Sequence, residues 1–377
     1  MASPSIRVLV TGSRGFIGRN LVFRLLEDGG FSVLTFDRDG DLDELKHAIE
    51  VADVVVHLAG ENRPREDSAF CLVNEGLTAT VCDLIADVSE RQQRSLRLIF
   101  TSSIQALQDN PYGRSKLAAE RVVQGLVQRS SNSAVIYRLP NVFGKWCRPN
   151  YNSVVATFCH QVANCLPITV NDPSTLLQLA YVDDVVTSLM FSIRLTSPRF
   201  AIGEVETVYE TTVGEIAEKI LAFESSRRTL MIESVGSGLT RALYATYVSH
   251  IPPERFMYQV PSHEDPRGIF VEMLKTRDSG QFSFFTAHPG VTRGGHYHHS
   301  KTEKFLVVKG QALFFFRNLI TGQSVEIQTS GDLPSIVDTI PGWVHDITNV
   351  GEDEMMVVLW ANETFDRARP DTVAVKV

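Results

Sequence analysis

Residues 6–28 run from a short apolar segment through a glycine-rich turn into a helical pattern. The segment IRVLV is followed by TGSRGFIG and by NLVFRLLED, whose apolar residues recur at helical spacing. Gly12 allows a tight turn, Gly15 lets the backbone approach a pyrophosphate, and Gly18 lets the helix pack on a sheet. The glycine spacing departs by one residue from the GxGxxG fingerprint. The pattern predicts a strand, a turn and a helix whose positive end faces phosphate groups, with further cofactor contacts from Arg14, Phe16 and Ile17.

Strand and helix patterns continue to alternate as far as residue 138, and beyond it the pattern becomes irregular. Apolar runs predict further strands at 31–37, 53–60, 96–102 and 134–138, and helical spacing predicts helices at 70–87 and 112–128. Segments 176–186 and 206–223 each have the pattern of a strand that passes into a helix. This alternation predicts a doubly wound parallel sheet, so the fold class is α/β.

The residues after the second and third strands indicate which dinucleotide the sheet binds. Asp37 lies about 20 residues beyond the turn, where an acidic side chain hydrogen-bonds a ribose diol and favours NAD. Arg14 and Arg38 favour NADP(H), because arginines pair with a 2′-phosphate. We predict NADP(H). The small residues of the segment HLAG leave room for a ring, and Leu58 and Ala59 are assigned to the same cofactor site.

The segment TSSIQALQDNPYGRSK, residues 101–116, contains a hydroxyl, a phenol and an ammonium that can act on one carbonyl group. Tyr112 and Lys116 are four residues apart and share a face if the segment is helical. A neighbouring ammonium favours the phenolate, so we expect Lys116 to lower the pKa of Tyr112. Ser103 ends a predicted strand, at the edge where parallel sheets bind ligands. The three residues are predicted to be catalytic, although an isolated Tyr-Lys pair at this spacing usually marks a solvated helix face.

The segment RLPNVFGKWCRPNYNS, residues 138–153, mixes amide, cationic and aromatic side chains. Arg148 or Lys145 can pair with a phosphate, and Asn141 can hydrogen-bond a sugar. These residues are predicted to bind substrate, and for each of them an ordinary surface loop is an equally good interpretation.

The charge and cysteine content exclude several kinds of partner. The formal net charge is −8 and no basic cluster occurs, so we expect neither nucleic acid nor an anionic membrane surface as a partner. Five cysteines without CxxC spacing predict reduced thiols and a cytoplasmic location. We expect no signal peptide and no membrane-spanning segment.

The sequence texture changes between about 240 and 260. Closely spaced apolar runs with turn signals follow, which predicts a small β-sandwich or barrel. We predict one domain at 1–250 and a second, all-β domain at 251–377.

The β region contains four potential metal ligands. His296 and His298 share a face if they lie on one strand, Glu303 follows, and His345 lies in a later strand segment. Three imidazoles and a carboxylate suit zinc, with iron, manganese or nickel as alternatives. The set favours a metal site over histidines that merely fill the core. His299 is predicted to point the other way and to lie at the surface.

Several of these motifs together resemble the extended short-chain dehydrogenases/reductases that act on nucleotide sugars, a Rossmann-fold family. They are TGSRGFIG, HLAG, the TSS strand end, YGRSK and YVDD, and the resemblance covers residues 6 to about 245. It implies that Tyr112 protonates a keto oxygen, that Ser103 hydrogen-bonds that oxygen, and that Lys116 adjusts Tyr112 and holds the nicotinamide ribose. Tyr112 follows Ser103 by nine residues, a shorter interval than most members show, so Ser102 and Gln105 remain alternatives to Ser103.

The C-terminal stretch resembles a cupin. The first cupin motif is matched from Gly290 to Gly310, and the second is matched in part by Pro341, Gly342, His345 and Asn349. The segments RGGHYH and DPRGIF are also similar to sugar-nucleotide epimerases of the cupin class, in which a histidine removes a proton next to a keto group. Because His296 is assigned to the metal, Lys304 and Asp265 are the candidate bases.

Both halves in this order resemble the bifunctional enzymes of capsular polysaccharide and O-antigen synthesis. The resemblance implies that the cupin epimerises carbon 3 of a UDP-2-acetamido-2,6-dideoxy-4-hexulose and that the first domain then reduces carbon 4 with NADPH. The product would be UDP-2-acetamido-2,6-dideoxy-L-talose, on the way to UDP-N-acetyl-L-fucosamine. A homodimer is expected. Two alternatives are a reductase with a non-catalytic dimerisation or ligand-sensing cupin, and a nucleotide-binding regulator without activity.

Overall fold

The computed structural model describes residues 5–62, 70–195, 199–260, 262–265, 268–271, 274–276, 280–363, 368 and 370–375. At residue 71 and in part of the range 262–283 it describes the backbone without side chains. Contacts divide the chain into two compact units. Unit 1 comprises residues up to 143 and 177–210, and unit 2 comprises 144–176 and 211–377. The predicted division at residue 250 remains a prediction.

Unit 1 is built on a six-stranded parallel sheet with the order β2-β1-β3-β4-β5-β8. Its strands are β1 Ile6–Thr11, β2 Phe31–Phe36, β3 Val54–His57, β4 Arg97–Ser103, β5 Ser133–Leu139 and β8 Phe200–Gly203. The strands are rich in fully buried Val, Leu and Ile, as expected when helices cover both faces of a parallel sheet. The predicted doubly wound sheet is confirmed. The order reverses between β1 and β3, the position at which such sheets bind ligands.

The helices of unit 1 begin where the sequence supplies capping groups. They are α1 Phe16–Asp28, α2 Leu42–Val51, α3 Leu77–Gln92, α4 Pro111–Arg129 and α6 Val182–Arg194. The Asp41 carboxylate accepts from the Glu44 backbone, and Glu44 returns the bond in a capping box. Asn110 caps α4, and Pro111 occupies its first position. A π-helical turn, Cys71–Gly76, precedes α3, so the helix predicted at 70–87 begins irregularly.

Unit 2 contains two five-stranded antiparallel sheets with the orders β11-β20-β17-β22-β15 and β19-β18-β21-β16-β23. The first sheet consists of β11 Met257–Gln259, β15 Gln281–Ala287, β17 Glu303–Lys309, β20 Ser335–Asp338 and β22 Met355–Ala361. The second sheet consists of β16 Thr292–Tyr297, β18 Gln311–Asn318, β19 Ser324–Ser330, β21 Trp343–Asn349 and β23 Val373–Ala374. The predicted all-β architecture is confirmed as antiparallel sheets.

Three helices belong to unit 2 as well, namely α5 Val154–Ala163, α7 Val213–Thr229 and α8 Gly238–Ser249. The remaining strands of the chain are β6 Asn141–Phe143, β7 Leu176–Tyr181, β9 Tyr209–Thr212, β10 Met231–Ile232, β12 Ser262–Asp265, β13 Gly268–Val271 and β14 Lys275–Thr276.

Among the described residues, no helix has both the length and the apolar character that crossing a membrane requires.

Candidate active site and metal centre

The glycine turn between β1 and α1 is packed too tightly for larger residues. Gly12 has φ +69°, and a Cβ there would lie 2.8 Å from the Cα of Ala59. A Cβ on Gly18 would overlap the carbonyl oxygen of Gly12. The atoms nearest to Gly18 therefore belong to the turn itself, at the end of β1. Gly15 caps α1, and Phe16 and Ile17 form the first turn of that helix.

Asp37, at the end of β2, is bound by the same turn. Its carboxylate accepts a hydrogen bond from the Ser13 hydroxyl and another, of 3.1 Å, from the Arg14 backbone N–H. The Arg14 guanidinium lies 2.9 Å from Asp39, and 69% of its side chain is exposed. The Arg38 side chain is 92% exposed. The Arg14 guanidinium also lies 3.7 Å from Asp37, whereas the Arg38 guanidinium lies 3.6 Å from Glu61, and both are accessible to water.

Ser103 and Tyr112 are brought together by the end of β4 and the start of α4. The Ser103 hydroxyl lies close enough to the Tyr112 phenol to act against the rise of its pKa, and it accepts a hydrogen bond from the backbone N–H of Gln105, at 3.2 Å. The Ser102 hydroxyl is buried and has no hydrogen-bond partner among the described residues. Of the three candidates, Ser103 is the one that contacts the phenol.

Lys116 lies one helical turn after Tyr112 and is 7% exposed. Its Nζ donates to the backbone carbonyl of Thr101 at 3.1 Å and lies 5.2 Å from the centroid of the Phe100 ring. Burial lowers the pKa of Lys116 to about 8, although the nearby Glu120 carboxylate acts in the opposite direction.

The pKa of Tyr112 is raised, and the prediction that Lys116 lowers it is wrong. Burial, which disfavours the phenolate, outweighs the hydrogen bond from Ser103. The Phe70 ring contributes to this environment, since its centroid lies 5.6 Å from that of Tyr112. The phenol therefore holds its proton firmly, as a group that donates a proton must do until the acceptor develops charge.

Sequence reasoning missed Asn74, which lies in the π-helical turn and is buried. Its amide donates to the Ser115 hydroxyl at 3.0 Å and to the Glu61 carbonyl at 2.9 Å. A Cβ on Gly60 would lie 3.0 Å from the Asn74 Oδ1 and 3.3 Å from the Lys116 Nζ. Asn74 thus joins the loop after β3 to α4. The signal that would have found it is a π-helical turn, which often occurs at functional sites but has no simple sequence pattern.

The predicted substrate residues lie in different surroundings. Asn141 is exposed on β6 in unit 1, whereas Lys145 and Arg148 belong to unit 2. Lys145 is 1% exposed, and its Nζ lies 5.4 Å from the centroid of the Trp146 ring. Arg148 is exposed over the Tyr151 ring. Their role in substrate binding remains a proposal.

The four predicted metal ligands of unit 2 converge. One ligand atom from each of His296, His298, Glu303 and His345 lies within 4.8 Å of the others. His296 pairs with His345 across β16 and β21, while Glu303 begins β17 in the other sheet. The His298 Nε2 lies 3.1 Å from the Glu303 Oε2, and the His345 Nε2 lies 3.6 Å from the same oxygen. Both sheets of unit 2 therefore contribute ligands to one cluster.

The protonation states of these groups suit a cation. Burial lowers the pKa of His296 to about 4 and also lowers the pKa of His345, so these rings are neutral. For Glu303, burial raises the pKa, but the close contacts with His298 and His345 outweigh it and hold the pKa well below its ordinary value. The His345 Nε2 is buried without a hydrogen-bond partner among the described residues. Neutral imidazoles, an ionised carboxylate and an unsatisfied ring nitrogen fit a divalent metal.

Three further predictions about this region do not agree with the structure or lie outside it. Lys304 is held by Asp338 at 2.6 Å and by the Tyr258 hydroxyl at 3.0 Å. Since adjacent strand residues point to opposite faces, this position separates Lys304 from Glu303 and does not support its role as a base. His299 is 4% exposed, so its prediction as a surface residue is wrong. The side chain of Asp265 lies outside the described residues.

The chain matches two family descriptions. Residues 8–203 match the NAD dependent epimerase/dehydratase family, and residues 263–373 match a polysaccharide biosynthesis C-terminal domain. The first match spans more than half of the chain, so the protein belongs to the NAD dependent epimerase/dehydratase family. The predicted nicotinamide cofactor is confirmed at the level of this family.

Two of the similar proteins match nearly the whole chain, and a third matches part of it. A relative from Pseudomonas aeruginosa, named UDP-2-acetamido-2,6-beta-L-arabino-hexul-4-ose reductase, is 54% identical over 372 residues, which cover 99% of both chains. The capsular polysaccharide assembling protein CapF from Staphylococcus aureus is 39% identical, with a TM-score of 0.66 over 98% of this chain and 100% of that chain. A UDP-glucose 4-epimerase from Thermotoga maritima, 19% identical with a TM-score of 0.52 over 58% of this chain and 83% of its own, shares the fold.

Proposed function

We propose that this protein reduces the 4-keto group of a UDP-linked 2-acetamido-2,6-dideoxyhexulose after epimerising the neighbouring carbon 3. The observation that carries the proposal is the 54% identity, over 99% of both chains, to a reductase of such a sugar. The proposed product is UDP-2-acetamido-2,6-dideoxy-L-talose, a precursor of UDP-N-acetyl-L-fucosamine. The likeness to CapF along the whole chain supports a role in polysaccharide synthesis.

For the reduction, we assign proton donation to Tyr112. Its phenol lies close to the Ser103 hydroxyl and one helical turn before Lys116, so a keto oxygen held by both hydroxyls would receive its proton from the phenol. NADPH supplies a hydride to carbon 4 when bound. We assign to the buried Lys116 ammonium the binding of the nicotinamide ribose.

We propose NADPH as the cofactor because both arginines beside Asp37 are largely exposed. The Asp37 carboxylate is already engaged by Ser13 and by the Arg14 backbone, which reduces its repulsion of a nearby phosphate. The substitution Arg14→Gln should lower kcat/KM for NADPH about tenfold and leave that for NADH within twofold. The kinetics of both cofactors test this assignment, and equal losses for the two would contradict it.

For the epimerisation, the four-residue cluster His296, His298, Glu303 and His345 would hold a divalent metal ion, for which three imidazoles and one carboxylate favour zinc. Such an ion supplies charge stabilisation beside a keto group when bound. Lys301 donates to the Glu303 Oε1 at 2.6 Å and leaves Oε2 directed at the imidazoles. We propose that the two antiparallel sheets form a cupin barrel around this cluster. Asp265 remains the candidate base.

The variant Tyr112→Phe tests the reductase assignment. It should lower NADPH oxidation with a UDP-4-keto-6-deoxy-N-acetylhexosamine by at least about 10²-fold, the usual contribution of a general acid. Tyr137→Phe is the matched control, because this buried phenol donates to the Ser188 carbonyl at 2.9 Å within the helix-sheet core. We expect the control to lose stability and to keep its rate. Unchanged NADPH oxidation in Tyr112→Phe would refute the assignment.

A further inference from the structure

We propose that the C-terminal segment 371–375 is a latch that holds the metal-ligand segment 295–301 in its binding geometry, and that Asp371 is the positioning residue of this latch. The latch rests on the proposed metal centre, whose ligands it would hold in place. Its residues follow the last ligand, His345, by more than twenty positions.

The Asp371 carboxylate accepts hydrogen bonds from the backbone of the loop between His298 and Glu303. It accepts from the backbone N–H groups of His299, Ser300 and Lys301 at 2.8, 2.7 and 2.8 Å. The Ser300 hydroxyl adds a fourth hydrogen bond, at 2.9 Å. Four donors on one carboxylate fix three consecutive residues of a loop that no regular strand supports.

The Asp371 backbone carbonyl fixes the ring of His298. This carbonyl accepts a hydrogen bond from the His298 Nδ1, which fixes the orientation of the ring. Nε2 then points into the ligand cluster, 3.1 Å from the Glu303 Oε2. Hydrogen bonds of this kind set the tautomer and orientation of metal-binding histidines.

The residues after Asp371 hold the same segment by pairing with it as an added strand. In β23, Val373 pairs with Tyr297 and Ala374 pairs with His296, both on β16. The Val375 N–H donates to the Gly295 carbonyl at 2.9 Å. Positive φ angles of 107° and 72° at Gly294 and Gly295 mark a bulge in β16 just before the first ligand, where regular pairing with β21 is interrupted. Pairing with β23 restores order at this point.

The test compares metal binding by the full-length wild type with that of Asp371→Asn. The asparagine is nearly isosteric, but it replaces one acceptor oxygen with an NH₂ that faces backbone N–H groups. Asp332→Asn is the matched control, since Asp332 is exposed on the turn between β19 and β20. Each protein is stripped with a chelator and titrated with Zn²⁺ against a chromogenic competitor. Each is then loaded with Co²⁺, whose visible absorption reports ligand geometry.

We expect Asp371→Asn to bind Zn²⁺ about 10 to 100 times more weakly and to change the Co²⁺ spectrum, while Asp332→Asn matches the wild type. Ser300→Ala, which removes one of the four bonds, should give a smaller loss in the same direction and covers the case in which Asp371→Asn does not fold. Equal affinity and an identical spectrum in Asp371→Asn, with only a lower unfolding temperature of the metal-free protein, would overturn the latch. Failure of the wild type itself to bind either ion would reject the metal centre and the latch together, without affecting the reductase assignment.

Discussion

Lys116 is a cation with almost no access to water. Burial of the ammonium lowers its pKa to about 8, below the ordinary value of 10.5. Below pH 8 the folded and unfolded states both carry the proton, so the folded state bears the full cost of the buried charge. Between pH 8 and 10.5 the folded state releases the proton while the unfolded state retains it. Stability attributable to this residue therefore rises with pH across that window.

The variant Lys116→Met tests this cost. At pH 7 it should be about 2 kcal/mol more stable than the wild type, since the shift corresponds to about 3 kcal/mol and the lost bond to Thr101 offsets about 1 kcal/mol. The advantage should shrink as the pH rises from 8 towards 10, and the rate of keto reduction should fall. Urea unfolding at pH 7 and 9.5 measures the difference.

Lys309→Met, at an exposed position of β17, is the control for adding a methionine. Its stability relative to the wild type should not depend on pH. A pH-independent difference for Lys116→Met would contradict the buried-ammonium account.

For individual residues, the sequence predicted the candidate site side chains better than it predicted the surroundings of those side chains. The spacing of Tyr112 and Lys116 predicted a shared helix face, which α4 provides. The direction of the Tyr112 pKa shift was wrong, because burial depends on residues such as Phe70 that are distant in sequence. Asp371 was not found for the same reason: it contacts a loop about 70 positions earlier in the chain.

Among secondary-structure elements, the turn between β1 and α1 leaves no room for a Cβ at Gly12 or Gly18. Gly12 and Gly29 have the same φ of +69°, one in the turn and one at the end of α1. Of these two glycines, Gly12 alone has neighbours within 4 Å of the point that a Cβ would occupy, the nearest being the backbone of Ala59. Substitutions at these two glycines therefore separate the cost of backbone strain from the cost of steric overlap.

We predict that Gly29→Ala costs about 1 kcal/mol of stability, from the left-handed backbone alone. Gly12→Ala should cost about 2 to 4 kcal/mol, because the backbone of Ala59 cannot yield as a flexible side chain would. It should also weaken NADPH binding. Urea unfolding and cofactor titration of both variants measure these effects, and equal costs at the two positions would show that Ala59 does not constrain the turn.

Periodicity predicted the regular elements well because strands and helices bury residues at different spacings. The predicted helix at 112–128 corresponds to α4, and the strand at 134–138 corresponds to β5. The π-helical turn before α3 and the bulge in β16 were not predicted. Both are departures from regular hydrogen bonding that satisfy local packing, and they leave the apolar pattern unchanged.

In the molecule as a whole, unit 2 joins helices to β-sheets through buried charges. The Asp338 carboxylate, on β20, pairs with the Lys304 Nζ of β17 at 2.6 Å and with the Arg227 guanidinium of α7. All three side chains are less than 10% exposed. The predicted boundary at residue 250 would separate Arg227 from its partner, which lies 111 positions later. Sequence composition cannot reveal such a pair, and the boundary near 250 remains a prediction.

Asp338→Ala should destabilise the protein by about 3 to 5 kcal/mol, because it leaves two buried cations without their anion. Asp87→Ala is the control, since it removes an exposed partner of Arg91 on one helix and should cost less than about 1 kcal/mol. Denaturant unfolding followed by circular dichroism gives both values. Similar small losses for the two variants would show that the buried cluster does not hold unit 2 together.

The proposed function requires one chain to exchange the carbon 3 proton of a 4-keto sugar and then to reduce carbon 4. It is tested most directly by NMR of a UDP-4-keto-6-deoxy-N-acetylhexosamine incubated with the protein in heavy water, with and without NADPH. We predict deuterium at carbon 3 without NADPH, and a product reduced at carbon 4 that carries deuterium at carbon 3 when NADPH is present. A reduced product with only protium at carbon 3 would contradict the account and leave a reductase whose β region is catalytically silent.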